Sequence, residues 1–169
     1  LKKRKNMSTY VVVGLQYGDE GKGKITDVLS AKSDYVVRFQ GGDNAGHTVY
    51  AGEEKFVLHL LPSGVLQCRG KCIIANGVVV NPISFIREIE QLESKGMKTN
   101  HVFISRRAHV IMPYHILLDT YREEEADGTH IGTTKKGIGP CYEDKIARVG
   151  IRMVDLLNPE VLREKIEKN

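Results

Sequence analysis

The stretch Gly18-Asp19-Glu20-Gly21-Lys22-Gly23-Lys24 constrains this chain more than any other. It follows the apolar run Tyr10-Val11-Val12-Val13 and precedes Ile25, Val28 and Leu29, which recur with helical spacing. That order predicts a fully buried, parallel-type strand over residues 10–14, a glycine-rich turn, and a helix to about Ser30. Such a turn gathers backbone N–H groups and a helix N-terminus at one point, which suits a phosphate. Lys22 and Lys24 add mobile positive charge. Carboxylates repel phosphate, so Asp19 and Glu20 make sense there as a magnesium ligand or a proton acceptor. The stretch fits the first part of G-x-x-x-x-G-K-[ST], but Ile25 has no hydroxyl for the metal, so this is not a standard P-loop. The competing reading is a glycine-rich turn with solvated charges.

A second strand is predicted over residues 35–39, running into the polar loop Gln40-Gly41-Gly42-Asp43-Asn44-Ala45-Gly46-His47-Thr48. Two such loops, each after a strand, can lie side by side at the carboxyl edge of one sheet, where open α/β sheets bind ligands. Residues 49–60 read as a hairpin turning at 51–54, and 61–64 as a break. Short strands are expected at 73–75 and 102–105. Asn81 and Pro82 open a helix that Gly96 ends, with Ile83, Ile86, Ile89 and Leu92 as its apolar face. A further helix is expected from Pro113 to Ala126, with Glu123-Glu124-Glu125 as its solvated end. Residues 127–150 read as loop, and Gly132, Thr133, Thr134, Lys135 and Lys136 make them a third anion-binding segment or a plain surface loop. Asn158 and Pro159 open a last helix carrying Val161, Leu162 and Ile166. The fold class is α/β: a mostly parallel sheet flanked by helices, with P-loop-like phosphate-binding architecture and a small hairpin.

The 169 residues suffice for one domain with a core. Net charge is +4, yet Lys2, Lys3, Arg4 and Lys5 carry that excess, and the rest balances at 21 basic against 21 acidic residues. No body-wide basic field exists for nucleic acid. Met7 reads as a natural start, so residues 1–6 are set aside as a tag-like extension and 7–169 as the folded portion. No apolar run reaches a membrane span and no secretory signal is visible. The three cysteines, Cys68, Cys72 and Cys141, lack a framework spacing, which favours reduced thiols in a cytoplasmic protein. Cys68 and Cys72 are spaced C-x3-C without a second ligand pair, so buried thiols are expected rather than structural zinc.

Taken together, the loops resemble the adenylosuccinate synthetase family. The resemblance rests on Gly18-Asp19-Glu20-Gly21-Lys22-Gly23-Lys24, on Arg38-Phe39-Gln40-Gly41-Gly42 with Asn44-Ala45-Gly46-His47-Thr48, and on His59-Leu60-Leu61-Pro62-Ser63-Gly64. Ile131-Gly132-Thr133-Thr134, Gly137-Ile138-Gly139-Pro140, Tyr142-Glu143-Asp144-Lys145 and Ala147-Arg148 complete it. Tyr17 stands where many members have tryptophan, Asp43 at a variable position, and Lys135-Lys136 where many bacterial members have Gly-Arg. Members run to well over twice this length, so the chain is expected to be an N-terminal portion of a GTP-dependent ligase.

The resemblance implies a reaction, GTP + IMP + L-aspartate giving GDP, phosphate and adenylosuccinate through 6-phosphoryl-IMP, in a cytoplasmic homodimer with Mg²⁺. Carried over by motif, Asp19 is the base at N1 of IMP and His47 donates to the β/γ region of GTP. Asp19 and the Gly46 carbonyl ligate Mg²⁺. Gly18, Glu20, Gly21, Lys22, Gly23 and Lys24 face the phosphates, with Ala45 and Thr48 in the neighbouring loop. Asn44, Gly46 and Thr134 line the IMP site, and Arg148 crosses the dimer interface to the partner's IMP phosphate. His59 belongs to a family motif without a role beyond support of the fold; His101, His109, His115 and His130 receive none. Three readings result: the ligase, with this portion alone inactive; a non-catalytic nucleotide-binding module of the same fold; and an ordinary P-loop NTPase, which Ile25 speaks against.

Overall fold

A computed structural model of the chain describes residues 8–18, 20–51, 53–125 and 132–169. Its centre is a parallel sheet of β1 (Tyr35–Arg38), β4 (Lys71–Ile74) and β6 (Val102–Ile104), in the order β1-β4-β6. The register pairs Val36 with Cys72 and Cys72 with Val102, so all three strands point their carboxyl ends the same way. A bridge between Gly41 and Val78 prolongs the β1–β4 pairing past the strand ends. Between β1 and β4 lies a hairpin, β2 (His47–Ala51) against β3 (Glu54–Leu58), with His47 opposite Leu58. A short parallel pair, β5 (Val79–Val80) and β7 (His109–Val110), continues the layer.

Five helices flank these strands among the described residues: α1 (Lys22–Ser30), α2 (Pro82–Ser94), α3 (Pro113–Glu124), α4 (Ile138–Ala147) and α5 (Pro159–Lys168). Asn81 caps α2 by accepting from the amides of Ile83 and Ser84, and Asn158 caps α5 by accepting from Glu160 and Val161. Proline at the first helical position follows each cap, where a missing N–H costs nothing. The main core joins Phe56, Leu58, Leu60, Leu61, Ile74, Val78 and Leu92; a smaller one forms around Val79, Ile111 and Cys141.

Four expectations are corrected. Residues 10–14 form no strand, and Tyr10, Val11 and Val13 are 71%, 70% and 58% exposed. A buried parallel strand needs ladder partners and cover on both faces, and none of the described residues pairs with this run. In α2, Ile83 and Ile86 are exposed, whereas Glu88 and Leu92 are buried and Phe85 and Ile89 pack on the core. Steps of three drift round a helix; the spacing i, i+3, i+4, i+7 from Phe85 holds one face. The segment read as loop from 127 to 150 contains α4. Gly139 and Pro140 argued against a helix, but they occupy its first turn, where proline removes no intrahelical bond. The glutamates ending α3 are not merely solvated: Glu123 accepts from the Gly132 amide at 2.9 Å and Glu124 meets Lys135 at 3.1 Å. Gly52 in the hairpin turn and Ala126, the expected end of α3, lie outside the described residues.

Candidate active site

The first loop reaches α1 through Gly21, whose φ of +80° places it in the left-handed region that a side chain disfavours. Lys22, Gly23 and Lys24 form the first turn of α1, so their amides have no intrahelical acceptor. An anion of the loop itself already engages one of its lysines. The Glu20 carboxylate turns back, accepts from the Gln16 amide at 2.8 Å, and pairs with Lys22 Nζ at 2.5 Å. Lys22, with the amides of Glu20 and Gln16, holds it well below the usual carboxylate range, at about 2. Asp19, the expected base and metal ligand, lies outside the described residues.

Gly23 brings the first loop to the second. A Cβ at Gly23 would lie 3.1 Å from His47 Cβ and 3.5 Å from Ser63 Oγ, so a side chain there would crowd α1 against β2. His47 opens β2, and its Nε2 is buried with no partner among the described residues. Burial, then the charges of Arg38 and His59, lower its pKa to about 4, which leaves the ring neutral near pH 7. Asn44, Ala45 and Gly46 are exposed, and their amides make no hydrogen bond among the described residues. Successive free N–H groups next to an imidazole whose Nε2 has no partner among the described residues suit phosphate oxygens. Thr48 follows, exposed, on β2.

Buried charges hold the second loop in place. Arg38 on β1 donates through Nη1 to the His59 carbonyl and through Nη2 to the Gly42 carbonyl. Glu88 on α2, 5% exposed, accepts from the amides of His59, Leu60 and Leu61 at 3.0, 2.8 and 3.0 Å. Asp43, 2% exposed, accepts from Ser84 Oγ at 2.5 Å in the first turn of α2. Its carbonyl accepts from Lys136 Nζ at 2.6 Å, which ties the third loop to the second. Tyr142 on α4 accepts from the Gly41 amide at 2.9 Å and donates to the Gly77 carbonyl at 2.8 Å. Beside it a cleft of about 560 Å³ opens between Phe39, Gln40, Gly41, Asn44, Ile138 and Tyr142.

Of the remaining expected residues, Thr134 is exposed in the third loop, beside Thr133. Arg148 caps the carboxyl end of α4 in the left-handed region, φ +64°, and is exposed. The structure thus brings the first and second loops together directly, joins the third through Lys136, and leaves Arg148 facing outward. From sequence, Arg38, Asp43, Lys136 and Tyr142 were named only as members of loops or motifs, without these anchoring roles, and Glu88 was not named. Only Glu88 carried a readable signal: a carboxylate at i+3 within an otherwise apolar helical face.

A parallel sheet flanked by helices, with one glycine-rich loop after β1 and another opening α1, defines an α/β protein of mostly parallel architecture. The adenylosuccinate synthetase family model matches residues 11–169. Curated adenylosuccinate synthetases from Fusobacterium nucleatum and Thermodesulfovibrio yellowstonii are 66% and 58% identical, each over 96% of this chain and 38% of their own length. The fully ligated adenylosuccinate synthetase structure from Plasmodium falciparum superposes with a TM-score of 0.81 at 42% identity, over 92% of this chain and 37% of that one. A cyanophage S-2L succinoaminodeoxyadenylate synthetase, bound to dGMP and to dATP as an energy donor, matches at TM-score 0.59 and 26% identity, over 79% of this chain and 36% of that one. The chain belongs to the adenylosuccinate synthetase family. It spans a little over a third of the length of the relatives it matches. No helix among the described residues is long and apolar enough to cross a membrane.

Proposed function

We propose that this chain carries the phosphate-facing and IMP-facing loops of an adenylosuccinate synthetase, which joins IMP and L-aspartate at the expense of GTP. The observation that carries the reading is the close approach of the first loop to the second at Gly23 and His47, with free amides on the second loop and a carboxylate held in the first. Two loops so arranged can grip adjacent phosphates of one nucleotide.

The donor set fits Mg²⁺. The Gly46 carbonyl is exposed and accepts no hydrogen bond among the described residues, so an oxygen ligand stands free beside the phosphate amides. Asp19 would complete the protein share. When bound, the ion would neutralise phosphate charge. Lys22 and the amides of Gly21 to Lys24 orient the phosphates. Asp19 takes the proton from N1 of IMP, which makes O6 nucleophilic toward the γ-phosphate. His47, neutral and with Nε2 uncommitted, stands beside the leaving diphosphate. Asn44 and Thr134 position IMP, and Arg148 reaches the IMP phosphate of the other protomer in a homodimer.

The test is Asp19→Asn in a version extended to the relatives' length. Synthesis is lost while circular dichroism is unchanged; activity within about tenfold of the parent, about 1.4 kcal/mol in barrier, refutes the assignment. The 169-residue chain makes no adenylosuccinate by itself and binds nucleotide weakly. Base selectivity belongs to the same experiment, because a relative of this fold is described with dATP as energy donor. Equilibrium dialysis with GTP and ATP reads it: a clear preference for GTP means that these loops contribute more selectivity than the reading allots them.

A further inference from the structure

We propose that His59 is the positioning residue of the second loop: its ring fixes the orientation of the Ala45–Gly46 peptide and so decides what that loop presents to a phosphate or metal. The proposal rests on the reading of the loop given above.

His59 directly follows β3, whose last residue Leu58 pairs with His47. Its backbone cannot shift without disturbing the buried Glu88 and the half-buried Arg38. The amide is held by Glu88 and the carbonyl by Arg38, while the next two amides also end on Glu88. From this fixed base the ring reaches across to the loop, with Nδ1 2.9 Å from the Ala45 carbonyl. A carbonyl only accepts, so Nδ1 carries the proton. The ring also covers one side of Gly46: a Cβ there would lie 3.3 Å from His59 Cε1 and 3.5 Å from Nδ1.

A trans peptide points its C=O and N–H in opposite directions. Because the Ala45 carbonyl faces the imidazole, the Gly46 N–H faces away from it, on the exposed side of the loop. A flipped peptide would turn the Ala45 oxygen outward, toward the place proposed for phosphate, where it repels. Nothing else among the described residues bonds that peptide. His59 therefore selects one of two orientations, at a position whose neighbours are the Gly46 carbonyl and His47.

Three substitutions separate this from a packing role. Asn at position 59 places an amide nitrogen close to the position of Nδ1, Gln reaches toward Nε2 instead, and Leu fills the space without a donor. In the 169-residue chain, the Ala45 carbonyl ¹³C and Gly46 amide ¹⁵N resonances keep their positions in H59N and move together in H59Q and H59L, while all three variants retain the parent circular dichroism spectrum. Dissociation constants for Mg·GTP weaken by about tenfold in H59Q and H59L, and H59N recovers most of that loss. Resonances unchanged in H59L, or an H59N variant that behaves as H59L does, overturn the proposal. A parent chain that binds no Mg·GTP sinks the phosphate reading instead, and the resonances alone still decide the orientation.

Discussion

Replacing Glu88 by leucine should damage this chain more than any exposed charge reversal would. In the structure the Glu88 carboxylate accepts from the backbone amides of His59, Leu60 and Leu61. Leu60 and Leu61 are fully buried, so water cannot replace the lost acceptor. A buried donor left unsatisfied costs about 1–3 kcal/mol, so three cost on the order of 3–5 kcal/mol after relaxation. Arg38, whose charge Glu88 supports, loses that partner as well. Against this, an apolar side chain no longer has to be stripped of water as a carboxylate is, which returns part of the cost. A net loss of about 3 kcal/mol is a large part of the 5–15 kcal/mol typical of a domain.

Glu88→Gln is gentler. Its remaining oxygen can serve His59 and Leu60, both of which now bond Oε1, but its NH₂ then confronts the Leu61 amide, and one orphan costs about 1–3 kcal/mol. The chain has no tryptophan, so urea unfolding is followed by circular dichroism. With a slope of about 2 kcal/mol per molar, a loss of 3 kcal/mol lowers the midpoint by about 1.5 M. Glu90→Gln, exposed on the same helix, is the control. A Glu88→Leu midpoint within about 0.3 M of the parent refutes the claim that this carboxylate holds the 59–61 segment.

Glu20→Gln should tighten binding of inorganic phosphate severalfold, because a neutral amide competes less well for Lys22 and the Gln16 amide; dialysis showing weaker binding would mean that Glu20 assists phosphate rather than standing in for it. Lys135 adopts φ +52°, a conformation that costs a non-glycine residue about 1–2 kcal/mol, so Lys135→Gly should raise the urea midpoint slightly, and a fall would deny the strain. His109 is buried and has its pKa lowered to about 4 from 6.5 by burial and by Lys145, Arg152 and Lys165, with Asp155 opposing. Between those values the unfolded chain binds more protons, so this contribution is full above pH 6.5 and is lost as pH falls toward 4. His109→Asn should flatten the dependence of the urea midpoint on pH in that window; an unchanged slope would assign it to other groups.

What the sequence revealed and concealed follows from how local each signal is. Asn81 and Asn158 act within three residues, and the helices they open are where the caps and prolines put them. The turn signal at 51–54 placed the hairpin, and the burial of Phe56 and Leu58 against exposed Val57 fits it. Residues 10–14 have the same apolar look as a central strand, but a strand exists only through partners elsewhere in the chain, which composition does not reveal. The helix α4 was hidden by Gly139 and Pro140, residues that break a helix interior and are harmless in a first turn. In the site, the free loop residues were legible because glycine and small polar side chains are rare together. The groups that hold them were not, because a charged residue reads as surface.

Those hidden groups explain how firmly each loop is held. Arg38, Glu88, Asp119 and the carbonyl of Asp43 each engage backbone groups or a lysine rather than an opposing buried charge, so each fixes chain direction as well as satisfying itself. The second loop receives Arg38 at Gly42, Tyr142 at Gly41 and His59 at Ala45. The third is held at both ends of its described part, by Glu123 at Gly132 and by Asp119 at Gly137. The first receives no anchor of this kind among the described residues: Gly23 packs on His47, and Glu20 bonds only to its own loop and Lys22. An anion that replaces the Glu20 carboxylate must therefore order the first loop against a second loop that is already set. Amide hydrogen exchange should show it: phosphate protects the amides of Gly21 to Lys24 by a larger factor than those of Asn44 to Gly46. Equal protection at both loops would mean that the second is as loosely held as the first, and that the buried charges beneath it fix less than their geometry implies.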